Sequence, residues 1–256
     1  MIYRWTLCSF TATMYHYSHL SIKRRYGVLC MNDNVAILFT RIPVPGRTKT
    51  RLMPFLDGEE CAKLHSAFLS DIYNQLKESI HDFDIAIFYA PDGNVGELIA
   101  LLPGAVAYVR QYGDSLGDKM HNAISEMLAG GYKKCILLGS DIPLLSADVI
   151  DKSFARLTDN DIVLCPTEDG GYYLVGMKQP CFEIFDLDTF GVSSVLERTL
   201  AAANEAGKKV SIGSVTMDID EPEDLRRLAG HLENESADIC RETRKVLKHL
   251  PQFSSL

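Results

Sequence analysis

Val35-Ala36-Ile37-Leu38-Phe39-Thr40 runs without a break into Arg41-Ile42-Pro43-Val44-Pro45-Gly46-Arg47-Thr48-Lys49-Thr50-Arg51. The first six residues form a near-continuous apolar run, as a strand covered on both faces requires. Similar runs recur at Asp84–Ala90, Ala105–Gln111, Lys133–Gly139 and Asp161–Pro166. Amphipathic stretches separate them. Glu59–Ser79 carries Cys61, Leu64, Phe68, Ile72 and Leu76 at helical spacing, and a second helix follows the N-cap Asp114-Ser115. Ser146–Leu157 and Val195–Ala206 supply two more. Strand–helix repetition of this kind predicts an α/β fold: a mainly parallel, twisted sheet flanked by helices. Asp169-Gly170-Gly171, followed by Tyr172–Met177, interrupts the rhythm and predicts a hairpin.

Of the 256 residues, 46% are hydrophobic and 23% charged, and the formal net charge is -8. These values exclude a coiled coil, a collagen-like chain and a disordered acidic tail. No stretch reaches the ~20 apolar residues of a membrane span, and the acidic balance argues against nucleic acid or membrane as partner. The seven cysteines are odd in number and form no C-x-x-C pair, which points to a reducing, cytoplasmic setting rather than disulfides or zinc. Residues 1–33 lack any sustained period and read as a disordered extension or an artefact of the start site, with Met31 the natural first residue. The reading gives one domain over residues 34–235 and a C-terminal helix or tail over 236–256.

Ligands in such sheets bind beyond the carboxyl ends of the strands, which singles out four loops. Arg41, Arg47, Lys49 and Arg51 follow the first strand with no acid before Asp57. In so acidic a chain this predicts a phosphate grip, though neither a Walker A loop nor a G-x-G-x-x-G fingerprint is present. Asp141, in Gly139-Ser140-Asp141-Ile142-Pro143, stands at the exit of an apolar strand, where Mg²⁺ would neutralise it; the alternative is a turn cap. Asp218 and Asp220 share one face if the chain is extended there, while Asp220 or Glu221 followed by Pro222 also reads as a helix start. Asp169 is a candidate base beside Gly170 and Gly171, or simply a hairpin residue. None of the seven histidines stands out as catalytic.

Five ordered motifs carry a resemblance: Phe39-Thr40-Arg41-x-Pro43-x-Pro45-Gly46-x-x-Lys49-Thr50-Arg51-Leu52, Gly113-Asp114-x-Leu116-Gly117-x-x-Met120, Gly139-Ser140-Asp141-x-Pro143, Glu168-Asp169-Gly170-Gly171-Tyr172-Tyr173 and Asp218-x-Asp220-x-Pro222-Glu223-Asp224-Leu225. Phe190-Gly191-Val192-Ser193-Ser194 is similar, less sharply. Together they resemble the selenodomain-associated transferases, small GT-A-type proteins that include arsenosugar-biosynthesis glycosyltransferases. The wider superfamily of nucleotide-diphospho-sugar transferases also holds the molybdenum-cofactor and phospholactate guanylyltransferases.

The resemblance implies a single-domain, Rossmann-like GT-A fold. It also implies nucleotide binding by Arg41, Gly46, Arg47, Lys49, Arg51, Gly117, Lys119, Gly170 and Gly171, and Mg²⁺ or Mn²⁺ at Asp141 and Asp220, with Asp218 secondary. The expected activity is glycosyl transfer from a nucleotide sugar to a small acceptor, with Lys49 and Asp169 catalytic. Nucleotidyl transfer with pyrophosphate release is the alternative, and the basic first loop suits a triphosphate better than a diphosphate sugar. A nucleotide-binding protein without turnover is the third possibility.

Overall fold

The computed structural model describes residues 32–187 and 194–253; the expectations for the first thirty residues and for Phe190–Ser193 fall outside them. Along the chain come β1 (Asn34–Thr40), α1 (Gly58–Glu78), β2 (Asp84–Tyr89), α2 (Val95–Leu101), β3 (Ala107–Arg110), α3 (Leu116–Ala129), β4 (Lys134–Leu138) and α4 (Ala147–Arg156). The second half adds β5 (Ile162–Pro166), β6 (Tyr172–Met177), α5 (Val195–Glu205), β7 (Val210–Ile212), α6 (Pro222–Glu233) and α7 (Arg241–His249). The seven strands form one sheet in the order β3-β2-β1-β4-β6-β5-β7. All neighbours pair in parallel except β6, which runs antiparallel to both β4 and β5. The mainly parallel α/β sheet and the Asp-Gly-Gly hairpin are both present.

Alternation within β1 explains why its sequence is apolar throughout. Val35 and Ile37 face one layer, where Met120, Ala123, Ile124 and Met127 of α3 cover them. Ala36 and Leu38 face the other, beneath Leu69, Ile72 and Leu76 of α1 and Phe154 of α4. Each such side chain fully removed from water contributes about 1.5–3 kcal/mol. A second stripe of α1 (Cys61, Leu64, Phe68) packs with Leu225 and Leu228 of α6 and Leu247 of α7. Asp71 of α1 ties α7 to the sheet layer: its carboxylate accepts from the backbone N–H groups of Glu242 at 2.9 Å and Thr243 at 2.8 Å. It caps a helix whose own N-cap, Cys240, makes no side-chain cap.

Candidate active site

The strand order reverses between β1 and β4, with β2 and β3 to one side and all later strands to the other. Loops leaving β1 and β4 diverge at that point and leave a crevice at the carboxyl edge. A cavity of about 780 Å³ occupies it.

The loop after β1 turns at Gly46, which has φ +72°, and Arg47 N–H donates to the Val44 carbonyl across the turn at 3.0 Å. Lys49 then adopts φ +50°, a left-handed conformation that costs a non-glycine residue energy and persists only where its surroundings enforce it. Its ammonium is held firmly. Lys49 Nζ contacts Asp141 Oδ1 and the Ile219 carbonyl and lies 3.2 Å from Asp220 Oδ1. The Lys49 side chain is 3% exposed, whereas Asp141 and Asp220 remain 42% and 39% exposed. Arg51 reaches the other oxygen of Asp220 at 3.7 Å. Burial pushes the Asp141 carboxyl up, but Lys49, with Arg41 behind it, outweighs that and holds it below the usual carboxylate range.

Asp220 is free to face Lys49 because a neighbour caps the next helix. Asp224 accepts from the backbone N–H groups of Asp220 at 3.2 Å and Glu221 at 2.9 Å, and Pro222 occupies the first turn of α6. The expected helix start and the acidic cavity residue therefore coexist. On the opposite wall Ser115 caps α3, whose N-terminal turn brings Lys119 to the cavity with the partial positive charge of a helix start. Gly113 permits this approach: its φ is +130°, and a Cβ there would lie 2.7 Å from that of Asp118.

Arg41, Lys49, Arg51, Lys119, Asp141 and Asp220 thus line one cavity, and the other expected residues lie elsewhere. Arg47 is outside the lining but reaches it, 3.8 Å from the cavity residue Asp92 that Arg41 also faces; Gly46 serves the turn, and Gly117 is buried within the first turn of α3. Asp169 is exposed in the hairpin, where its Oδ1 accepts from Thr167 Oγ1 at 2.5 Å and Gly171 N–H at 3.0 Å. Gly170 supplies the left-handed residue of that turn, at φ +91°. Asp218 lies near enough to Asp169, Asp220 and Asp224 to feel their charges. The segment around it belongs to no strand, yet exposure still alternates, with Ile219 fully buried between two half-buried acids; Asp220 lines the cavity and Asp218 does not. Burial first, and then the carboxylate of Asp169, push its carboxyl up to about 6.

Two contributors had no signal of spacing. His65, at a core-facing position of α1, is buried and contacts Thr48, Thr40 and Ser140. Burial lowers its pKa to about 4 and keeps it neutral. Gln111, after β3, donates from Nε2 to the carbonyls of Thr40 and Phe88, both at 3.0 Å, and so braces the ends of β1 and β2.

Asp141 and Asp220 meet at one point of the cavity wall. Among the described residues no group of three or more His, Cys, Asp or Glu is placed to hold a metal. Two carboxylates alone still suit Mg²⁺ or Mn²⁺, which complete their shells with phosphate oxygens and water.

Residues 76–192 match the family described as an uncharacterized protein conserved in bacteria (DUF2064). The chain is 29% identical over 187 residues to a phosphoenolpyruvate guanylyltransferase from Sphaerobacter thermophilus, covering 72% of this chain and 87% of that protein. It is 28% identical over 204 residues to a 2-phospho-L-lactate guanylyltransferase from Methanobrevibacter smithii, covering 79% and 84%. A crystal structure from Desulfovibrio desulfuricans G20, described as a candidate nucleotide-diphospho-sugar transferase, superposes with a TM-score of 0.77 at 27% identity, over 87% of this chain and 99% of its own. These likenesses support a transferase that uses a nucleotide. Among the described residues no helix is long and apolar enough to cross a membrane.

Proposed function

We propose that this protein is a nucleotidyltransferase of the guanylyltransferase type, joining the α-phosphate of a nucleoside triphosphate to a small phosphorylated acid and releasing pyrophosphate. The reading departs from the glycosyl transfer expected from family resemblance. The observation that carries it is where the acids lie. Inverting glycosyl transfer to a hydroxyl calls for a base, yet the expected base, Asp169, lies outside the cavity lining with its Oδ1 engaged in a hairpin turn. Within the cavity Asp141 and Asp220 are fixed on Lys49, and His65 is neutral with both ring nitrogens engaged. An acceptor phosphate oxygen is already anionic at neutral pH and needs no deprotonation. The guanylyltransferase relatives add weight to the same side.

In this reading the acceptor phosphate oxygen attacks the α-phosphorus, and the bond to the β-phosphate oxygen breaks with its electron pair leaving on pyrophosphate. Lys49, its three N–H bonds directed at Asp141, Asp220 and the Ile219 carbonyl, fixes the two carboxylates and adds its positive charge beside the α-phosphate, where charge builds in the transition state. Arg41 and Arg51, at the mouth, hold the departing pyrophosphate by charge-assisted hydrogen bonds, and Lys119 with the start of α3 holds the remaining phosphate charge. Asp141 and Asp220 are the residues that would hold Mg²⁺ or Mn²⁺, which when bound supplies further neutralisation of the phosphates. Incubation with each nucleoside triphosphate and with phosphoenolpyruvate or phospholactate tests the proposal. Acceptor-dependent pyrophosphate release, largest with GTP, is the expected result. Nucleoside diphosphate release from a nucleotide sugar, with no pyrophosphate from any triphosphate, would restore the glycosyl reading.

A further inference from the structure

Three buried hydroxyl residues stand immediately before three charges of the cavity: Thr40 before Arg41, Thr48 before Lys49 and Ser140 before Asp141. All three meet one imidazole. His65 Nδ1 contacts Thr48 Oγ1, and Nε2 lies 3.3 Å from both Thr40 Oγ1 and Ser140 Oγ. The ring is 2% exposed, so these hydroxyls replace solvent as its partners. The hydroxyl partners also assign a tautomer. Thr40 Oγ1 donates its own hydrogen to the Arg41 carbonyl at 3.0 Å and can only accept from the ring. Nε2 therefore carries the hydrogen, and Nδ1 accepts from the Thr48 hydroxyl.

We propose that His65 is a positioning residue that joins the end of β1, the cationic loop and the β4 exit, so that Arg41, Lys49 and Asp141 present their charges to one ligand. That the ligand is a nucleotide rests on the function proposed above; the joining itself does not. The three segments belong to separate stretches of chain, and α1 lies behind them as a rigid support. The left-handed Lys49 needs such a constraint, because a residue in that region relaxes once its neighbours release it. Small displacements of charged groups around a reacting phosphate are costly in rate.

The two ring nitrogens do different work, and the amide side chains separate them. Asn at position 65 offers a carbonyl near the place of Nδ1 and keeps the acceptor for Thr48. Gln reaches farther and keeps a donor near the place of Nε2. The readout is the rate at which acetic anhydride labels Lys49, followed by mass spectrometry against exposed Lys248 of the same chain. The wild-type Lys49 side chain, 3% exposed, is protected. His65→Gln releases Thr48 and raises Lys49 labelling about tenfold, whereas His65→Asn leaves it within a small factor of wild type. A purely space-filling histidine makes the two variants alike, and that result, or an unchanged rate in His65→Gln, overturns the proposal.

If either variant fails to fold, Thr48→Val and Ser140→Ala ask the same question one arm at a time. Thr48→Val exposes Lys49 and Ser140→Ala does not; equal rates in the two overturn it. No nucleotide enters this measurement. Labelling that follows the expected order in a protein that binds no nucleotide therefore counts against the transferase reading and leaves the role of His65 standing.

Discussion

Replacing Lys49 by Met removes the ammonium between Asp141 and Asp220 while keeping most of the side-chain volume. Breaking a fully buried ion pair by deleting one partner costs about 3–5 kcal/mol, because the other charge is left uncompensated. Here the two carboxylates are 42% and 39% exposed, so water recovers part of that loss, and Arg51 still reaches Asp220. A destabilisation of about 1–3 kcal/mol remains. For a chain of this size each kcal/mol lowers Tm by about 2–4 °C, giving a fall of about 2–12 °C.

The pH dependence identifies the cause. Lys49 holds the Asp141 carboxyl below its usual range against the effect of burial. A carboxylate with a depressed folded pKa contributes stability that is present above its unfolded pKa and is lost as pH falls through the folded value. The gap in Tm between wild type and Lys49→Met is therefore widest at about pH 7–8 and closes only as pH falls below about 4, through the depressed folded value of Asp141. Differential scanning calorimetry across that range measures it. A variant as stable as wild type near neutrality, or a gap that does not change with pH, would refute the electrostatic reasoning.

Asp71→Ala leaves the Glu242 and Thr243 N–H groups without their acceptor and costs about 1–3 kcal/mol in urea unfolding, with faster amide hydrogen exchange confined first to α7. Burial depresses the pKa of His65 from 6.5 to about 4, so the unfolded chain binds more protons between those values. Stability from this group is complete above about pH 6.5 and is lost on descent to about pH 4, by roughly 3 kcal/mol. A folded His65→Asn variant shows a correspondingly shallower acid limb in a Tm–pH curve. Arg41→Ala and Arg51→Ala change side chains that are 63% and 67% exposed. They leave stability within about 0.5 kcal/mol yet weaken nucleotide binding about tenfold each at low salt, an effect that added salt erodes.

The five expected strands were legible because burial on both faces leaves an unbroken apolar run, and the turn after β5 was legible from Asp169-Gly170-Gly171. Two short elements were not. Residues 95–101 form barely two helical turns, and β7 has only three residues, too few for either period to emerge. The meeting of Lys49 with Asp141 followed from topology, since parallel strands send both loops to the same edge. Asp169 stayed open between two readings because Asp-Gly chemistry is the same whether the carboxylate serves a turn or a substrate. Alternation about the buried Ile219 was legible, but it does not say which of Asp218 and Asp220 lines the cavity, and that is Asp220. His65 gave no signal, since its role depends on three hydroxyls distant in sequence that only the folded chain gathers.

The central claim is that the Lys49–Asp141–Asp220 cavity grips a triphosphate. Isothermal titration of the protein with GMP, GDP and GTP in the presence of Mg²⁺ tests it most directly. Affinity rising with each phosphate, to at least about a hundredfold between GMP and GTP, and collapsing toward the GMP value in Lys49→Met, is the predicted result. Equal affinity for GMP and GTP, or a GTP affinity untouched by loss of Lys49, would contradict it.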